Sequence, residues 1–381
     1  MQVSVGGTVY LGGEIIVTAS GTTLCGVPFG DFKPEDFVDD QRFLGRGVSG
    51  SVSRMIHRPT GQRIAVKQIR LLRAEFAMQH IKQELRTFFV AKQRGGGDAA
   101  YLIDCISAWA REEAVFIAME CMDGSLGAHG ISPCPEPVAA RIAMMVLRGL
   151  RFLHDEALLV HRDIKPGNLL YRLDGTVKIT DFGLSSKLHD SDPQDHNYVG
   201  SVVYMSPQRV RGELYSVLSD VWSLGVTVAE LVLGYHPFKE AMGDAYDEGH
   251  QARFWKLVQL YDNHCAAIED LARRLPGLSD ELKDFVAQCL QPDEAKRPRC
   301  AELLHHPWIT RHCPPVVAQP VGTTEPPLRP LTLGDDLSLL LIDADVTVSE
   351  TAPAHIHTKT AGDRIVAEWL ATLPPQQAAA R

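Results

Sequence analysis

The feature that most constrains this chain is the loop HRDIKPGN at residues 161–168, which is followed by the tripeptide DFG at residues 181–183. The first loop carries Asp163, Lys165 and Asn168, and the second carries Asp181 after a short strand-like run, VKIT. One carboxylate can receive a proton from a hydroxyl group, while an amide oxygen and a second carboxylate can hold a magnesium ion. The spacing therefore predicts two neighbouring loops that supply the groups phosphoryl transfer requires.

A glycine-rich stretch, LGRGVSGSV, lies upstream and spaces Gly45, Gly47 and Gly50 as GxGxxG. Strand-like residues flank it on both sides, which predicts a β-hairpin and not the strand-to-helix turn of a dinucleotide site. Glycines allow backbone N–H groups to approach phosphate oxygens closely, and Arg46 lies between the first two of them. The motif is weak when taken alone, because glycine-rich turns are common.

A strand and a helix follow, and each carries one unusually placed charge. The strand RIAVKQI points Ala65 and Lys67 to the same side, because strand side chains alternate between faces. Glu84 lies on the apolar face of a helix predicted for residues 73–92. A carboxylate is costly there unless it is paired, so Lys67 is its expected partner. The alternatives are a solvent-facing lysine and a surface glutamate.

Composition narrows the class of protein. A chain of 381 residues, 45% of them apolar, can bury a large core and suits a two-lobed domain of about 270 residues with flanking segments. The net charge of −9 does not favour a nucleic-acid or anionic-membrane surface. The sequence has neither a signal peptide nor an apolar run of the roughly 20 residues that a membrane span needs. The eight cysteines form no CxxC pair, so we expect free thiols in a cytoplasmic protein.

Together, and in this order, the motifs resemble those of the eukaryotic protein kinases over residues 40–309. The resemblance implies an α+β fold with a small β-rich N-lobe that contains one main helix, and a larger, mostly helical C-lobe. It implies ATP and Mg²⁺ as cofactors. The expected organisation is a partly ordered leader with one or two short strands (1–36), the N-lobe (37–121), the C-lobe (122–309) and a Pro-rich tail with a possible terminal helix (310–381).

The resemblance also implies roles for single residues. Asp163 would accept the proton of the attacking hydroxyl, and Lys165 would offset charge on the γ-phosphate. Asn168 and Asp181 would hold magnesium. The catalytic set is completed by Lys67, which would bind the α- and β-phosphates.

The nucleotide contacts implied by the resemblance comprise the glycine-rich loop, the lysine–glutamate pair, a gatekeeper, a hinge whose backbone meets adenine, and apolar residues around the adenine ring. In chain order they are Gly45, Arg46, Gly47, Gly50, Val52, Ala65, Lys67, Glu84, Met119 (gatekeeper), Glu120 and Met122 (hinge), and Leu169.

Two later runs, YVGSVVYMSPQRV at residues 198–210 and YSVLSDVWSLG at residues 215–225, resemble the mitogen-activated protein kinase kinases. So does MECMDGSL at residues 119–126. The implied activity is phosphorylation of Thr and Tyr in a downstream mitogen-activated protein kinase, after activation by an upstream kinase. The alternatives are a serine/threonine kinase of the neighbouring upstream class and a pseudokinase scaffold that binds partners without turnover.

The segment between DFG and SPQ is polar and contains Ser191, a candidate regulatory site. A phosphate there is expected to pair with Arg162, and the alternative is an unmodified surface serine. Asn197 stands near the position of the subfamily's second activation serine, so two-site activation is not expected. The subfamily's N-terminal docking peptide is absent, and LRPLTL at residues 328–333 is a weak substitute.

Two further residues concern the support of the catalytic loop. Asp220 matches the aspartate that holds the backbone of this loop in kinases. Gln208 replaces the glutamate of the family's APE motif, so its contact with Arg297 is expected to be a hydrogen bond and not a salt bridge. Hydrogen bonds to charged groups contribute about 1.5–3 kcal/mol, so the fold should tolerate the change.

Overall fold

The structure is a computed structural model, and it describes residues 8–11, 14–24, 26–30, 32–47, 50–71, 74–127, 133–187, 202–262, 277–314 and 363–373. Ser191, Asn197 and the LRPLTL run lie outside the described residues. The strands are, in chain order, β1 Val9–Leu11, β2 Ile15–Thr18, β3 Gly21–Leu24, β4 Val27–Phe29, β5 Phe37–Gly47, β6 Gly50–His57, β7 Gln62–Arg70, β8 Cys105–Arg111, β9 Ala114–Glu120, β10 Gly124–Ser125, β11 Leu159–Val160, β12 Leu169–Tyr171, β13 Val177–Ile179 and β14 Ser186–Lys187. The α-helices are α1 Ala74–Arg94, α2 Glu136–Arg151, α3 Pro207–Arg211, α4 Leu218–Leu233, α5 Lys239–Met242, α6 His250–Asp262, α7 Asp280–Cys289, α8 Cys300–Leu303, α9 Pro307–His312 and α10 Arg364–Leu370.

The N-lobe is built on a five-stranded antiparallel sheet with the strand order β5-β6-β7-β9-β8. Side chains of β7 alternate between its two faces. Ile64 and Val66 belong to an outer apolar cluster that also contains Trp109, while Ile69 joins the main core on the side of α1. This alternation directs Lys67 to the inner face.

The leader contains more structure than the sequence predicts. Four short strands, β1 to β4, form an antiparallel sheet of their own, in place of the one or two expected. The alternation of Ile15 to Thr18 places Ile15 and Val17 in the core, where both are fully buried. The loose alternation seen in the sequence is therefore the inward and outward pattern of a packed sheet.

The C-lobe is organised around α4, whose residues 219–232 are all buried. A helix that is buried around its whole circumference lies inside the protein, and α4 contacts both α2 and α7. It ends at Gly234, which has the left-handed conformation (φ +78°) that commonly closes a helix. The first turn of α4 carries Asp220, so the most buried helix of the lobe fixes the position of that side chain.

The chain passes between the lobes through residues 121–123, between β9 and β10. A second connection is the bridge between Leu102 and Ile179, where the Ile103 N–H donates a 2.9 Å hydrogen bond to the Ile179 carbonyl. The two lobes are thus joined at two places, by the chain itself and by this bridge. Among the helices that the structure describes, none is both long and apolar enough to span a lipid bilayer.

Candidate active site

Asp220 holds the backbone of the HRDIKPGN loop through hydrogen bonds. One carboxylate oxygen of Asp220 accepts hydrogen bonds from the His161 N–H (2.7 Å) and from His154 Nε2 (2.9 Å), and the other accepts the Arg162 N–H (2.8 Å). Burial alone would raise the pKa of Asp220, but the bonds from His154 and the loop N–H groups lower it. An ionised carboxylate therefore fixes the loop, as the sequence predicts for Asp220.

Two side chains make three hydrogen bonds to Asp163. Lys165 Nζ donates a 2.6 Å hydrogen bond to its Oδ2, and Asn168 Nδ2 donates to the same oxygen at 2.7 Å and to the Asp163 carbonyl at 2.8 Å. Asp163 is only 7% exposed. Because these contacts use Oδ2 and the main chain, Oδ1 is available to accept a proton from an incoming hydroxyl group.

The donor set fits a divalent metal between the two loops. Asn168 uses its amide nitrogen for both bonds to Asp163, so its carbonyl oxygen is available as a ligand. Asp181 has a left-handed backbone (φ +68°), which is uncommon for a residue other than glycine. Mg²⁺ is usually held by one or two carboxylates together with substrate phosphates, and it requires few protein oxygens. An amide oxygen and a carboxylate meet that need.

Lys67, on a strand of the N-lobe, contacts the carboxylates of both Glu84 and Asp181. Its Nζ lies 3.0 and 2.9 Å from the two oxygens of Glu84 and 2.8 Å from Asp181 Oδ1. Burial alone would lower the pKa of Lys67, but the two carboxylates raise it well above its ordinary value. Burial would likewise raise the pKa of Asp181, but the Lys67 ammonium lowers it to about 2. Lys67 and Asp181 are therefore both charged at neutral pH.

The Asp–Phe–Gly loop is locked to α1 by aromatic packing. Phe182 is fully buried, and its ring meets Phe88 of α1 edge-on at 5.4 Å and His161 at 5.6 Å. Burial lowers the pKa of His161, so this ring is neutral at pH 7. A Cβ on Gly183 would lie 3.0 Å from His80 Nδ1 on the same helix. The catalytic loop, the Asp181 loop and α1 are consequently packed as one unit.

The predicted nucleotide-binding residues of the sheet share a face. Val52 pairs with Lys67 across β6 and β7, and Ala65 pairs with Met119 across β7 and β9. Directly paired residues project to the same side of a sheet. The fully buried Leu169 begins β12 on the C-lobe side. Val52, Ala65, Lys67 and Met119 therefore share one face of the N-lobe sheet, while Leu169 lies in the C-lobe.

The glycine-rich stretch forms the predicted hairpin, with Gly45 opposite Val52 and Gly47 opposite Gly50. Arg46 is exposed in the same strand. Gly50 has a structural requirement as well, since a Cβ there would lie 2.2 Å from the Gln68 carbonyl oxygen. The absence of a side chain at this position is thus needed for the close pairing of β6 with β7.

The side chain of the hinge residue Glu120 is directed toward the C-lobe. It accepts hydrogen bonds from Lys178, from Arg172 and from the Asp104 N–H. The Glu120 N–H also donates a 3.0 Å hydrogen bond to the Asp104 carbonyl, so both its side chain and its N–H are held in place. Met122 follows in the connection between β9 and β10 and packs partly buried against the core.

The departure at Gln208 has the geometry expected from the sequence. Arg297 donates a 2.6 Å hydrogen bond to Gln208 Oε1, and Gln208 Nε2 donates a 2.7 Å bond to the Pro292 carbonyl. The charge partner of Arg297 is Glu294, at 3.8 Å. Burial lowers the pKa of Arg297 to about 10, so it remains a cation at neutral pH. The buried arginine has thus kept an acceptor and gained a nearby carboxylate.

Sequence reasoning missed several supporting residues, namely His154 beneath Asp220, Lys178 and Arg172 against Glu120, and Glu294 beside Arg297. Of these residues, only Lys178, in the middle of the VKIT strand, could have been recognised from the sequence. A lysine within an apolar strand is costly to bury unless it is paired. The predicted catalytic, metal and nucleotide-binding residues all lie within the described ranges, whereas Ser191 does not.

Comparison with known proteins agrees with this geometry. Residues 38–309 match the protein kinase domain family. Mitogen-activated protein kinase kinase 5 of Leishmania mexicana is 40% identical over 328 residues, which is 82% of this chain and 59% of that protein. Mitogen-activated protein kinase kinase 1c of Physcomitrium patens is 36% identical over 71% of this chain and 76% of its own length. Mitogen-activated protein kinase kinase 1 of Arabidopsis thaliana is 35% identical, with shares of 70% and 73%.

The similarity to the Leishmania protein covers less than two thirds of that relative. The match to the kinase family confirms the two-lobed α+β fold expected from the sequence.

Proposed function

Because this chain belongs to the protein kinase family, and within it to the mitogen-activated protein kinase kinases, we propose that it transfers the γ-phosphoryl group of ATP to Thr and Tyr side chains of a downstream mitogen-activated protein kinase. One observation carries this proposal. A carboxylate that is held by Lys165 and Asn168 lies in one loop, and a second carboxylate, paired with Lys67, lies in the neighbouring loop.

In the proposed reaction, Asp163 orients the attacking hydroxyl group and accepts its proton through Oδ1. Lys165, 2.6 Å from Asp163, offsets negative charge that develops on the transferred group. Lys67 lies on strand β7, and Glu84 holds its side chain in position. Lys67 binds the phosphates that remain on the nucleotide. The pairing of Glu84 with Lys67 restricts the lysine to one position, which reduces the entropy lost when the phosphates bind.

Asn168 and Asp181 are the proposed ligands of Mg²⁺. When bound, this ion would neutralise charge on the β- and γ-phosphates. The pKa of Asp181, about 2, keeps its carboxylate ionised and ready to ligate at any physiological pH. Lys67 occupies Asp181 Oδ1 in this arrangement, at 2.8 Å. A metal held by this carboxylate would compete with Lys67 for it.

The adenine site in the proposal is bounded by Val52 and Ala65 above and Leu169 below, with Met119 as gatekeeper. The backbone of residues 120–122 would supply the hydrogen bonds to the base. The fixed side chain of Glu120 supports this, because its bonds to Lys178 and Arg172 restrict how far the hinge backbone can move.

The remaining parts of the proposal concern the chain's setting. We propose an upstream activating kinase as a partner, Ser191 as its candidate target, a cytoplasmic location, and lobe boundaries at residues 37–121 and 122–309 with a leader and a tail outside them. Phosphopeptide mapping of residues 184–204 after incubation with candidate upstream kinases tests the regulatory site. Phosphate at Ser191 is the expected result, and its absence from an activated sample rejects this site.

The central test uses the purified full chain, Mg²⁺–ATP and a catalytically inactive mitogen-activated protein kinase, with the sites mapped by mass spectrometry. Phosphate on both Thr and Tyr of the substrate's activation loop is the expected result. Modification of generic serine and threonine substrates alone would favour the serine/threonine class. Retention of nucleotide binding without transfer would favour a pseudokinase scaffold, but the bond between Arg297 and Gln208 removes the main structural reason for that reading.

A further inference from the structure

The four strands before the kinase domain form a compact sheet, here called the N-terminal leaflet (β1–β4, Val9–Phe29). One face of the leaflet is apolar and buried. Its buried side chains are Val9, Leu11, Ile15, Val17 and Leu24. They belong to the same continuous core as α1 and β8. On the opposite face, Tyr10 is 41% exposed.

The leaflet is attached first to the outer edge of the N-lobe sheet. Strands β2 and β3 contact β8, the edge strand, and the buried Thr22 donates a 2.7 Å hydrogen bond to the Ala108 carbonyl. Just beyond the leaflet, Gly30 forms a bridge with Ser107. A Cβ at Gly30 (φ +91°) would lie 2.3 Å from the Ile106 carbonyl oxygen, so this close approach requires glycine.

The second attachment is to α1, the helix that carries Glu84. Strand β1 contacts α1, and Glu14 forms an ion pair with Arg86. Arg86 follows Glu84 by two residues, which places the two side chains about 200° apart around an α-helix. Glu84 therefore faces inward to Lys67, and Arg86 faces outward to the leaflet.

We propose that the leaflet holds α1 against the active site, with Glu14 and Arg86 as positioning residues for the Lys67–Glu84 pair. This inference rests on the proposed kinase function in one respect, namely that the Lys67–Glu84 pair serves to bind the phosphates of ATP. An outward displacement of α1 would separate Glu84 from Lys67 and leave the buried Glu84 carboxylate without its cation, which is strongly unfavourable. The same displacement would have to push aside the buried apolar face of the leaflet, so the leaflet opposes it.

Both side chains of the outer ion pair are partly buried, at 36% exposure for Glu14 and 17% for Arg86. The ion pair therefore contributes less to holding α1 in place than the apolar face of the leaflet does. The leaflet also covers the edge of β8, and an open strand edge promotes pairing with other chains. Protection of that edge is the competing explanation for the leaflet, and it predicts no effect on α1.

The test compares four full-length variants with the parent. Val17→Asp places a charge in the buried face of the leaflet, and Tyr10→Asp is the matched control on its exposed face. Glu14→Arg breaks the outer ion pair, and the double variant Glu14→Arg/Arg86→Glu restores it with reversed charges. The readouts are hydrogen exchange of the amides of α1, dissociation of a non-hydrolysable ATP analogue, and KM for ATP compared with kcat.

We expect Val17→Asp to raise hydrogen exchange in α1 and the KM for ATP, while Tyr10→Asp behaves as the parent. Glu14→Arg should raise KM about two- to five-fold, in keeping with a partly exposed ion pair. The double variant should return it toward the parental value. Exchange in α4 serves as the check that the C-lobe remains folded in each variant.

Unchanged exchange in α1 on disruption of the leaflet, or association of chains without any change in α1, would overturn the proposal. So would a double variant no better than Glu14→Arg alone. Exchange and analogue binding do not require phosphoryl transfer. A failure of the proposed kinase function, seen as absence of turnover in the parent, is therefore distinguishable from a failure of this inference.

Discussion

Lys67 Nζ lies 2.8 Å from Asp181 Oδ1 and 2.9 Å from the nearer oxygen of Glu84, so one ammonium group joins a strand of the N-lobe, α1 and the Asp181 loop. Strand β7 and α1 follow one another in the chain, whereas Asp181 lies 114 residues from Lys67. Their convergence on a single cation ties the geometry of the site to the relative position of the lobes.

Lys67→Met is expected to lower kcat/KM for phosphoryl transfer by about 10²–10³-fold, the effect of removing one charge-stabilising group. It also leaves Glu84 buried without its cation, so unfolding should become easier by about 3–5 kcal/mol. Kinase assays and urea denaturation measure the two effects. Lys283→Met, at a partly exposed lysine of α7, is the matched control, and equal behaviour of the two variants would reject the role of Lys67.

Asp163→Asn keeps the size of the side chain and an oxygen that can accept from Lys165 and Asn168, but it removes the basic oxygen. We expect kcat to fall by about 10²–10⁴-fold with little change in the affinity for ATP, since a proton acceptor acts on the chemical step. Steady-state kinetics and nucleotide titration separate the two quantities. A variant with parental kcat would show that another group receives the proton.

The pH dependence of stability should reveal the charge on Asp181. Its pKa is about 2 in the folded chain and 3.8 ordinarily. A group whose pKa is lowered by folding stabilises the protein above its unfolded pKa, and this contribution is lost as the pH falls through the folded pKa. We expect the difference in unfolding free energy between the parent and Asp181→Asn to shrink between about pH 4 and about pH 2. Denaturation at stepped pH measures it, and a constant difference across that window would contradict the assignment.

Gln208→Ala should destabilise the C-lobe by about 1–3 kcal/mol, because the buried Arg297 loses a charge-assisted acceptor. Gln208→Glu should be close to neutral. It would gain a charged partner for Arg297 but lose the bond that Gln208 Nε2 donates to the Pro292 carbonyl. Thermal denaturation compares both variants with the parent. A large gain in stability from Gln208→Glu would indicate that Glu294 does not compensate for the absent carboxylate.

Helix α10 offers a test of the C-terminal contact. Asp363 accepts hydrogen bonds from the Ile365 and Val366 N–H groups and lies 2.8 Å from Arg141 of α2. Asp363→Ala removes the N-cap and should cost about 0.5–2 kcal/mol of local stability. Hydrogen exchange of α10 measures this, and Glu368→Ala, at an exposed position of the same helix, is the control. Equal exchange in the two variants would show that the cap does not hold the helix.

Short-range patterns in the sequence were sufficient for the chemistry. Asp163, Lys165 and Asn168 lie within six residues, and a loop of that length can bring them together in few ways. The alternation in RIAVKQI indicated that Lys67 points to the inner face. The apolar periodicity of α1 indicated that Glu84 is a buried charge that needs a partner. The structure shows the expected pairing of Lys67 with Glu84, which could be predicted because it depended on residues close together in the chain and on one charge that needs a partner.

The amino-acid sequence by itself determined the family and the two-lobed fold, and it supplied the proposed reacting groups. Only the tertiary structure decided what holds them in place. His154 and the loop N–H groups meet at Asp220 across 58 to 66 residues, Glu14 meets Arg86 across 72, and Arg141 meets Asp363 across 222. Such partners leave no local pattern, because either residue alone reads as an ordinary surface charge. Their pairing follows from the packing of whole elements, which minimises buried unpaired charge only once the chain has folded.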